Sequence, residues 1–420
     1  MVPRTHLASL LVLLALASAL VGCDGPLSPS PVAGGDATAG PAGLDLTPSP
    51  APSAPASPQE LPAGTVALVG VGSAEEPQLY ALAVDGSSTP LGLKVTPSSL
   101  ASPDGRWVVR LEPAYLPQTV ALRNLVEGTT HTVSLGVDCA SGLCIVGHWA
   151  FDRDGARLAF LEVGAPEGHA YPGYPWAIVV VSLQDGSSLR FEATSEGDEP
   201  IPPGIPLGWA TTGELLLATF RPYTEAGWYG VLALNLPAGA APAPIESLSP
   251  RQVLPFGAGN SVPRLSPDGR RLLYLARDPG YRPDDYHPIA YDLAVNQLWS
   301  LEVAGGRPEL LVNVTDGGAL GPVAAWSPDG AQVLYAEGRY AGDDFGSLTL
   351  KARDASGTTR DVGPLPRGHL QGLDGCGPDL ALLTTSHGCC LHRLYTVDLA
   401  EGHTTLAASA PYISVLGCVR

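Results

Sequence analysis

From Thr65 onward the chain alternates short apolar runs with compact polar turns, and this arrangement returns at fairly regular distances. In the clearest copies a Ser-Pro-Asp-Gly turn precedes an apolar run, as at residues 102–105, 266–269 and 327–330. Counting looser copies, the position of the turn aspartate falls at 104, 154, 212, 268, 329 and 376, which are 47 to 61 residues apart. Repeats of this length with strand-like content are typical of the blades of a β-propeller.

Each of these turns is expected to join two antiparallel strands. Proline presets φ at the first central position, aspartate bonds to nearby backbone, and glycine accepts a positive φ. A third strand follows each time and ends in its own turn, as residues 178–183 do before Asp185 and Gly186. A fourth, more polar strand completes the unit. The pattern therefore predicts an all-β chain that forms a β-propeller of four-stranded blades.

Two sequence motifs carry a resemblance to a known family of repeats. The motif Trp-Ser-Pro-Asp-Gly at residues 326–330 precedes an apolar strand, and residues 395–402 read Tyr-x-x-Asp-Leu-x-x-Gly. Together they resemble the repeat of TolB-like propellers. The resemblance extends over residues 65–420 and implies the fold, but it implies little about function because one fold hosts many functions.

The two ends of the propeller region are expected to complete one blade together. Residues 65–92 hold a second, third and fourth strand with no first strand before them, and residues 412–418 form a strand with no partners after it. Pairing these ends closes the ring and removes sheet edges that would otherwise be exposed. We therefore expect seven blades. The alternative is six, with the last strand added to an existing blade.

The first 22 residues have the form of a signal peptide. Arg4 supplies a positive charge, and residues 7–21 are apolar apart from two serines, a run that is short for a bilayer span. Residues 20–23, Leu-Val-Gly-Cys, resemble the lipobox of bacterial lipoproteins. In that family the cysteine receives a diacylglyceryl group and becomes the first residue of the mature chain. The resemblance implies an exported protein anchored through Cys23 on the extracytoplasmic side of the cell membrane; a coincidental cysteine is the alternative.

Composition divides the rest of the chain into a linker and a body. Residues 23–64 are rich in Pro, Ala, Ser and Gly and lack aromatic, Lys and Arg residues, so we expect a disordered, extended stalk. The predicted domains are the signal peptide at 1–22, the lipidated cysteine and linker at 23–64, and the propeller at 65–420. The formal net charge of -18 repels phosphate backbones, so a nucleic-acid partner is not expected.

Six further cysteines, an even number, predict disulfides in an exported protein. They are Cys139, Cys144, Cys376, Cys389, Cys390 and Cys418. The first two lie in one predicted loop between blades and are the simplest pair. The other four fall near the ends of adjacent first strands or in a loop of the last full blade, and are expected to form two bridges at the ring closure. The rival hypothesis is a metal site of His387, Cys389, Cys390 and His392, which adjacent cysteines disfavour.

The loops between second and third strands are long, and the propeller topology places them all on one face. Their aromatic and basic residues are Tyr171, Tyr174, Trp176, Arg221, Tyr223, Trp228, Tyr229, Arg277, Tyr281, Tyr286, His287, Arg339, Tyr340 and Phe345, with Arg110 in a similar position. Tyr, Trp and Arg dominate recognition surfaces, so this face is the predicted binding site. The alternative is that the aromatic residues pack the loops against one another.

Candidate chemistry is sparse elsewhere. The weak calcium candidates in the same loops are Asp278, Asp284, Asp285, Asp343 and Asp344, for which a solvated loop is the alternative. The sequence lacks the nucleophile elbow, the zinc-protease helix motif, the phosphate-binding loop and the EF-hand loop. The predicted first strands carry His148, Arg264 and Gln371 as their polar residues. No cofactor is expected.

These observations favour a membrane-tethered propeller that binds a protein or a glycan on one face, or serves as a scaffold, without catalysis. Two alternatives remain at this stage. One is a propeller enzyme of hydrolase, lactonase or cyclase type acting at the channel mouth. The other is a structural or sensor subunit of an envelope complex.

The lipid anchor can be tested by replacing its cysteine. In Cys23→Ser the thiol that would receive the lipid is absent, so we expect the protein to leave the membrane fraction or to remain unprocessed. Fractionation of wild-type and variant cells with an antibody against the body of the protein measures this. A variant that stays with membranes as wild type does would contradict the anchor.

Overall fold

The structure is a computed structural model of the full chain. It describes residues 60–112, 117–137, 142–166, 176–193, 203–220, 229–236, 243–278, 280–281, 295–341, 344–387 and 391–419. At 142–143, 165–166, 220, 229, 340–341 and 344–346 the backbone alone is described. The predicted signal peptide and almost all of the linker, with Cys23, lie outside these residues.

Seven sheets of four antiparallel strands form the described body. One blade, here blade 7, contains β1 (Thr65–Gly72), β2 (Gln78–Ala83), β3 (Ser88–Lys94) and, from the other end of the chain, β28 (Tyr412–Cys418). The strands of blades 1 to 3 are β4 (Leu100–Ala101), β5 (Trp107–Glu112), β6 (Thr119–Asn124), β7 (Thr130–Ser134), β8 (Gly142–Phe151), β9 (Arg157–Pro166), β10 (Trp176–Ser182), β11 (Ser188–Ala193), β12 (Gly204–Trp209), β13 (Leu215–Phe220), β14 (Tyr229–Leu234) and β15 (Arg251–Gly259). The strands of blades 4 to 6 are β16 (Arg264–Leu265), β17 (Arg271–Ala276), β18 (Gln297–Glu302), β19 (Glu309–Asn313), β20 (Ala319–Trp326), β21 (Gln332–Ala341), β22 (Asp344–Asp354), β23 (Thr359–Pro364), β24 (His369–Gly375), β25 (Leu380–His387), β26 (Leu391–Asp398) and β27 (Thr404–Ala410).

The predicted all-β propeller with seven blades is confirmed, and the six-blade alternative is wrong. In blade 7 the strand order is β28-β1-β2-β3, so the C-terminal strand takes the first position and the N-terminal strands take the other three. The register pairs Ala67 with Cys418 and Gly72 with Tyr412. One 3-10 turn, Ile245–Leu248, interrupts the β structure between β14 and β15. The described residues contain no helix of the length and apolar character needed to cross a membrane.

The repeated Ser-Pro-Asp-Gly turns join first and second strands as predicted, and their aspartates act as turn formers. In blade 5 the Ser327 hydroxyl donates to Oδ1 of Asp329 over 2.6 Å, and the backbone N–H of Ala331 donates to the same oxygen over 2.9 Å. These bonds favour the ionised carboxylate and hold the pKa of Asp329 below its usual value. Gly330 completes the turn at a φ of 69°, a conformation that favours glycine.

The degenerate sixth copy differs from the prediction. Residues 373–377 were expected to form the turn, but Leu373, Asp374 and Gly375 belong to β24. The chain reverses only afterwards, where the N–H groups of Cys376 and Gly377 donate to the carbonyl of Leu380 over 2.9 and 3.1 Å. The turn thus lies a few residues later than predicted, over residues 376–379, and it contains the pair Pro378-Asp379. Asp374 therefore lies on a first strand and is not a turn residue.

Apolar side chains fill the spaces between neighbouring blades. The described residues form seven buried clusters, one for each of the seven blade–blade contacts. Two of these contacts also contain a cation–π interaction. In each, an arginine of a second strand stacks on the tryptophan that ends the first strand of the next blade. Arg157 lies 4.9 Å from the ring centre of Trp209, and Arg271 lies 4.5 Å from that of Trp326. Such contacts are worth about 0.5–2 kcal/mol each and hold adjacent blades in register.

A disulfide joins Cys376, just after β24 of blade 6, to Cys418 at the end of β28. The two cysteines were expected to take part in bridges at the ring closure, and the structure pairs them with each other across the contact between blades 6 and 7. Cys144 is also disulfide-bonded. It lies in β8, so its predicted place in a loop between blades is wrong, because the first strand of blade 2 is longer than expected. Cys139, Cys389 and Cys390 lie outside the described residues.

Breaking this disulfide should destabilise the ring. The bond ties the closing strand to its neighbour over a sequence separation of 42 residues, so we expect Cys376→Ser to lower the free energy of unfolding by about 2–5 kcal/mol. Denaturant unfolding under non-reducing conditions measures the loss. Cys418→Ser and the double variant should lose the same amount, since either change breaks the same bond. A double variant whose free energy of unfolding falls well below that of both single variants would contradict the pairing.

Candidate functional site

The topology gives the propeller two distinct faces. Second strands run away from the Ser-Pro-Asp-Gly turns, so the side with the turns at residues 102–105, 266–269 and 327–330 is here called the turn face. The opposite side, where second strands end and where each blade connects to the next, is called the loop face. Strand ends at Glu112, Ala276 and Ala341 mark it. All loops between second and third strands therefore leave from the loop face.

The structure describes half of the fourteen residues of the predicted binding face. Tyr171, Tyr174, Arg221, Tyr223, Trp228, Tyr286 and His287 lie outside the described residues. Tyr229, Tyr340 and Phe345 are placed by their backbone, at strand ends that border the loop face. The side chains that can be followed in detail are those of Trp176, Arg277, Tyr281 and Arg339.

The expectation that Trp176 belongs to an exposed loop is wrong. Trp176 is the first residue of β10 and is only 4 % exposed. Its indole packs in the cluster between blades 2 and 3, with Phe191 and Ile245. An indole is apolar enough to end a strand inside the core, and for this reason its presence beside a loop does not by itself indicate a surface position.

The remaining described residues of the predicted binding face make hydrogen bonds at the rim of the loop face, where the long loops begin. Tyr281 donates its hydroxyl to the carbonyl of Gly318 over 2.7 Å, and Arg339 donates to the carbonyl of Asp316 over 2.9 Å. Arg110 likewise donates to the carbonyl of Lys94 over 3.1 Å. Gly318 and Asp316 belong to the connection between blades 4 and 5, and Lys94 is the last residue of β3, where the connection to blade 1 begins. The backbone N–H of Arg277 donates in the same way to Oδ1 of Asn260 over 2.9 Å.

These contacts tie the bases of the long loops to a rigid framework. Arg339 keeps 59 % of its side chain exposed while it makes them, so the rim remains available to a partner. Sequence reasoning placed these residues on the correct face but missed this anchoring role. The acceptors are backbone carbonyls of other segments, and no side-chain pattern indicates them.

The calcium candidates are described only in part. Oδ1 of Asp278 accepts the N–H of Gly280 over 2.9 Å, a local turn contact. Asp284, Asp285 and Asp343 lie outside the described residues, and Asp344 is placed by its backbone at the start of β22. In the part of the chain that the structure describes, no three His, Cys, Asp or Glu side chains are grouped so as to hold a metal ion.

First strands line the central channel, and their exposed side chains include both apolar and polar residues. Ile145 and Val262 keep 40 % and 38 % of their surface, and Pro322 is also exposed. His148 is one of the polar residues, at a φ of 53° beside an irregularity in the pairing of β8 with β9. Its surroundings desolvate the imidazole, which lowers its pKa. Gln371 is bound to a neighbour, since it donates to Oγ of Ser386 over 3.0 Å.

Two cavities occupy the channel around Arg264. The first, of about 210 Å³, is lined by Ser261, Val262, Tyr274 and residues 322–324. The second, of about 240 Å³, lies toward the turn face, where Pro103 and Pro267 border it. Arg264 lines both cavities, and Asp374 lines the second. Sequence reasoning had noted Arg264 but missed Asp374, which it assigned to a turn. The pair Pro378-Asp379, which places the turn after Asp374, was the available signal.

No protein-family model matches the chain, and no curated protein matches it. Several solved structures do resemble it. One is an acylaminoacyl peptidase in complex with Z-Gly-Gly-Phe-chloromethyl ketone, 14% identical with a TM-score of 0.52, over 83% of this chain and 51% of that chain. Another is a puromycin-hydrolyzing peptidase of Mycobacterium tuberculosis, 16% identical with a TM-score of 0.51, over 85% of this chain and 55% of that chain.

TolB from Acinetobacter baumannii is also similar, 11% identical with a TM-score of 0.41, over 83% of this chain and 81% of that chain. The chain spans about half the length of the two peptidases it resembles. At such identities the likeness to the two peptidases shows the fold alone.

The anchoring of the loop-face rim can be tested at Tyr281. Tyr281→Phe removes the hydroxyl that donates to Gly318, so we expect a loss of about 1 kcal/mol in the free energy of unfolding and faster amide exchange around residues 316–319. Denaturant unfolding and hydrogen exchange measure the two effects. Tyr274→Phe is the matched control, because the structure describes no hydrogen bond for the Tyr274 hydroxyl. Equal effects of the two variants would contradict the anchoring role.

Proposed function

We propose that this chain is an exported lipoprotein, tethered to the membrane through Cys23, whose propeller binds a protein or a glycan on its loop face without catalysing a reaction. The observation that carries the proposal is the placement of the chain's ends. Both ends of the propeller lie on the turn face, so a tether attached there leaves the whole loop face open to a partner.

The placement rests on contacts at the start and end of the domain. The N–H of Thr65 donates to the carbonyl of Pro62 over 3.1 Å, where β1 leaves the turn face. Leu61 and Val419 pack beside the cluster between blades 7 and 1. Both approach Gly105 of the first Ser-Pro-Asp-Gly turn so closely that a Cβ there would lie 2.7 Å from Leu61 and 3.0 Å from Val419. Two independent segments thus place the domain's ends together.

The composition of the preceding segment suits a tether. Residues 24–60 contain many prolines and no aromatic, Lys or Arg residue. An extended proline-rich chain of 37 residues spans roughly 110 Å at about 3.1 Å per residue. That reach would let the propeller meet partners well beyond the lipid surface while the anchor keeps it at the envelope.

The chemistry of the loop face supports recognition of an anionic or carbohydrate partner. The chain carries a formal net charge of -18, so exposed arginines such as Arg339 are local exceptions on an acidic surface. A guanidinium group pairs with carboxylates in a forked geometry and stacks on aromatic rings. Aromatic side chains of the predicted loops would stack on sugar rings or on side chains of a protein partner.

The experiment is a cross-linked capture from envelopes with the full-length tagged chain as bait, followed by affinity measurement with the partner it recovers. We expect Trp228→Ala, at a predicted anchor outside the described residues, to weaken that affinity by about 2 kcal/mol, or roughly 30-fold. Arg339→Ala should also weaken it, with little change in stability.

Arg106→Ala is the matched control. Arg106 lies beside a turn-face motif with 50% of its side chain exposed and faces Glu127 over 3.6 Å, while Arg339 faces Asp316 over the same distance with 59% exposed. The two arginines lie on opposite faces, and Arg339 also donates to the carbonyl of Asp316. A partner whose affinity falls with Arg106→Ala and not with Arg339→Ala would overturn the proposed loop-face site.

A further inference from the structure

The 240 Å³ cavity at the turn-face end of the channel holds two opposite charges that do not meet. Arg264 comes from β16 of blade 4 and Asp374 from β24 of blade 6. Blade 5 lies between them, so the two groups reach the cavity from different sides. Neither side chain has a hydrogen bond or an ion pair with any described residue.

The walls around these charges are apolar. Leu265, Trp326, Leu373 and Leu416 line the cavity, together with small residues at 101 and 325. The indole of Trp326 is fixed, because its Nε1 donates to the carbonyl of Arg264 over 3.3 Å and Arg271 stacks on its ring. A rigid apolar wall next to a charge lowers the local dielectric and strengthens that charge's attraction for a counter-charge.

From this arrangement we propose that the cavity binds a small zwitterion with an apolar body, namely a free apolar amino acid or a dipeptide of such residues. The Arg264 guanidinium receives the carboxylate in a forked pair of hydrogen bonds, and the Asp374 carboxylate receives the ammonium group. The apolar side chain of the ligand lies against Trp326 and Leu373. A single zwitterion satisfies both unpaired charges at once, which a simple anion or cation cannot do.

The size of the cavity agrees with this ligand class. Its volume of about 240 Å³ is below the range of roughly 300–1,000 Å³ that is usual for drug-sized ligands. Pro103 and Pro267 line its turn-face side, and the backbone of both turns is held by the Ser-Asp hydrogen bonds of their motifs. The inference goes beyond the proposed loop-face function, since it concerns the opposite end of the channel.

Calorimetric titration of the full-length protein tests the proposal with L-leucine and the dipeptide Leu-Leu as probes. N-acetyl-leucine lacks the ammonium group and leucinamide lacks the carboxylate, so both should bind at least tenfold more weakly than leucine. Arg264→Gln should weaken leucine at least tenfold and remove the preference for leucine over leucinamide. Asp374→Asn should remove the preference over N-acetyl-leucine. Arg106→Gln, outside the channel, should bind as wild type.

Several outcomes would overturn the proposal. Wild-type protein that binds neither leucine nor Leu-Leu at millimolar concentration rules it out, and so does equal binding of leucine and its two blocked forms. Should Arg264→Gln fail to fold, Arg264→Lys keeps the charge without the forked geometry and should bind leucine with an intermediate affinity. An Arg264→Lys protein that folds and binds as tightly as wild type would exclude the forked contact. A negative result here leaves the loop-face proposal standing, because the two sites lie on opposite faces.

Discussion

The pairing of β28 with β1 is the constraint on which the rest of the molecule depends. Each of the seven apolar clusters lies between two blades, so each blade is buried only because it has neighbours on both sides. An open row of blades would expose the core of its two end blades and the edges of their sheets. Antiparallel pairing from Ala67–Cys418 to Gly72–Tyr412 closes the row, and the Cys376–Cys418 disulfide holds the closing strand to blade 6.

Closure also decides what the surface can do. With both ends of the domain on the turn face, the loop face is free of any chain that leads away from the propeller. The blades then act as a fixed frame, and the bases of the loops are tied to that frame by Tyr281, Arg339 and Arg110. Loops on such a frame can vary in sequence without loss of the fold, which is how one architecture comes to serve many partners. The channel is different, because its lining belongs to the strands themselves.

Individual residues show where sequence reasoning succeeded and where it did not. The turn motifs predicted strand positions well because a Ser-Pro-Asp-Gly segment makes its own hydrogen bonds, as Ser327 and Asp329 show. Trp176 was wrongly assigned to an exposed loop. An aromatic residue between a loop and an apolar run can be exposed or buried, and its packing against Phe191 shows that it is buried. Asp374 was misplaced because the turn was assigned to residues 373–377, whereas the pairing of β24 with β25 continues past Asp374 and the chain turns at Pro378 and Asp379.

The sequence by itself determined the class of structure, and it favoured seven blades in a ring closed by its two ends over the alternative of six. These properties follow from hydrophobic periodicity, from turn chemistry and from a missing first strand, all of which depend on residues close together in the chain. Only the tertiary structure decided which side chains share a space. Arg264 and Asp374 are 110 positions apart (374 − 264), and they line one cavity because seven blades of fixed width bring β16 and β24 to the same channel. Which residues become neighbours in this way depends on the geometry of the whole ring, and a local sequence pattern does not contain that information.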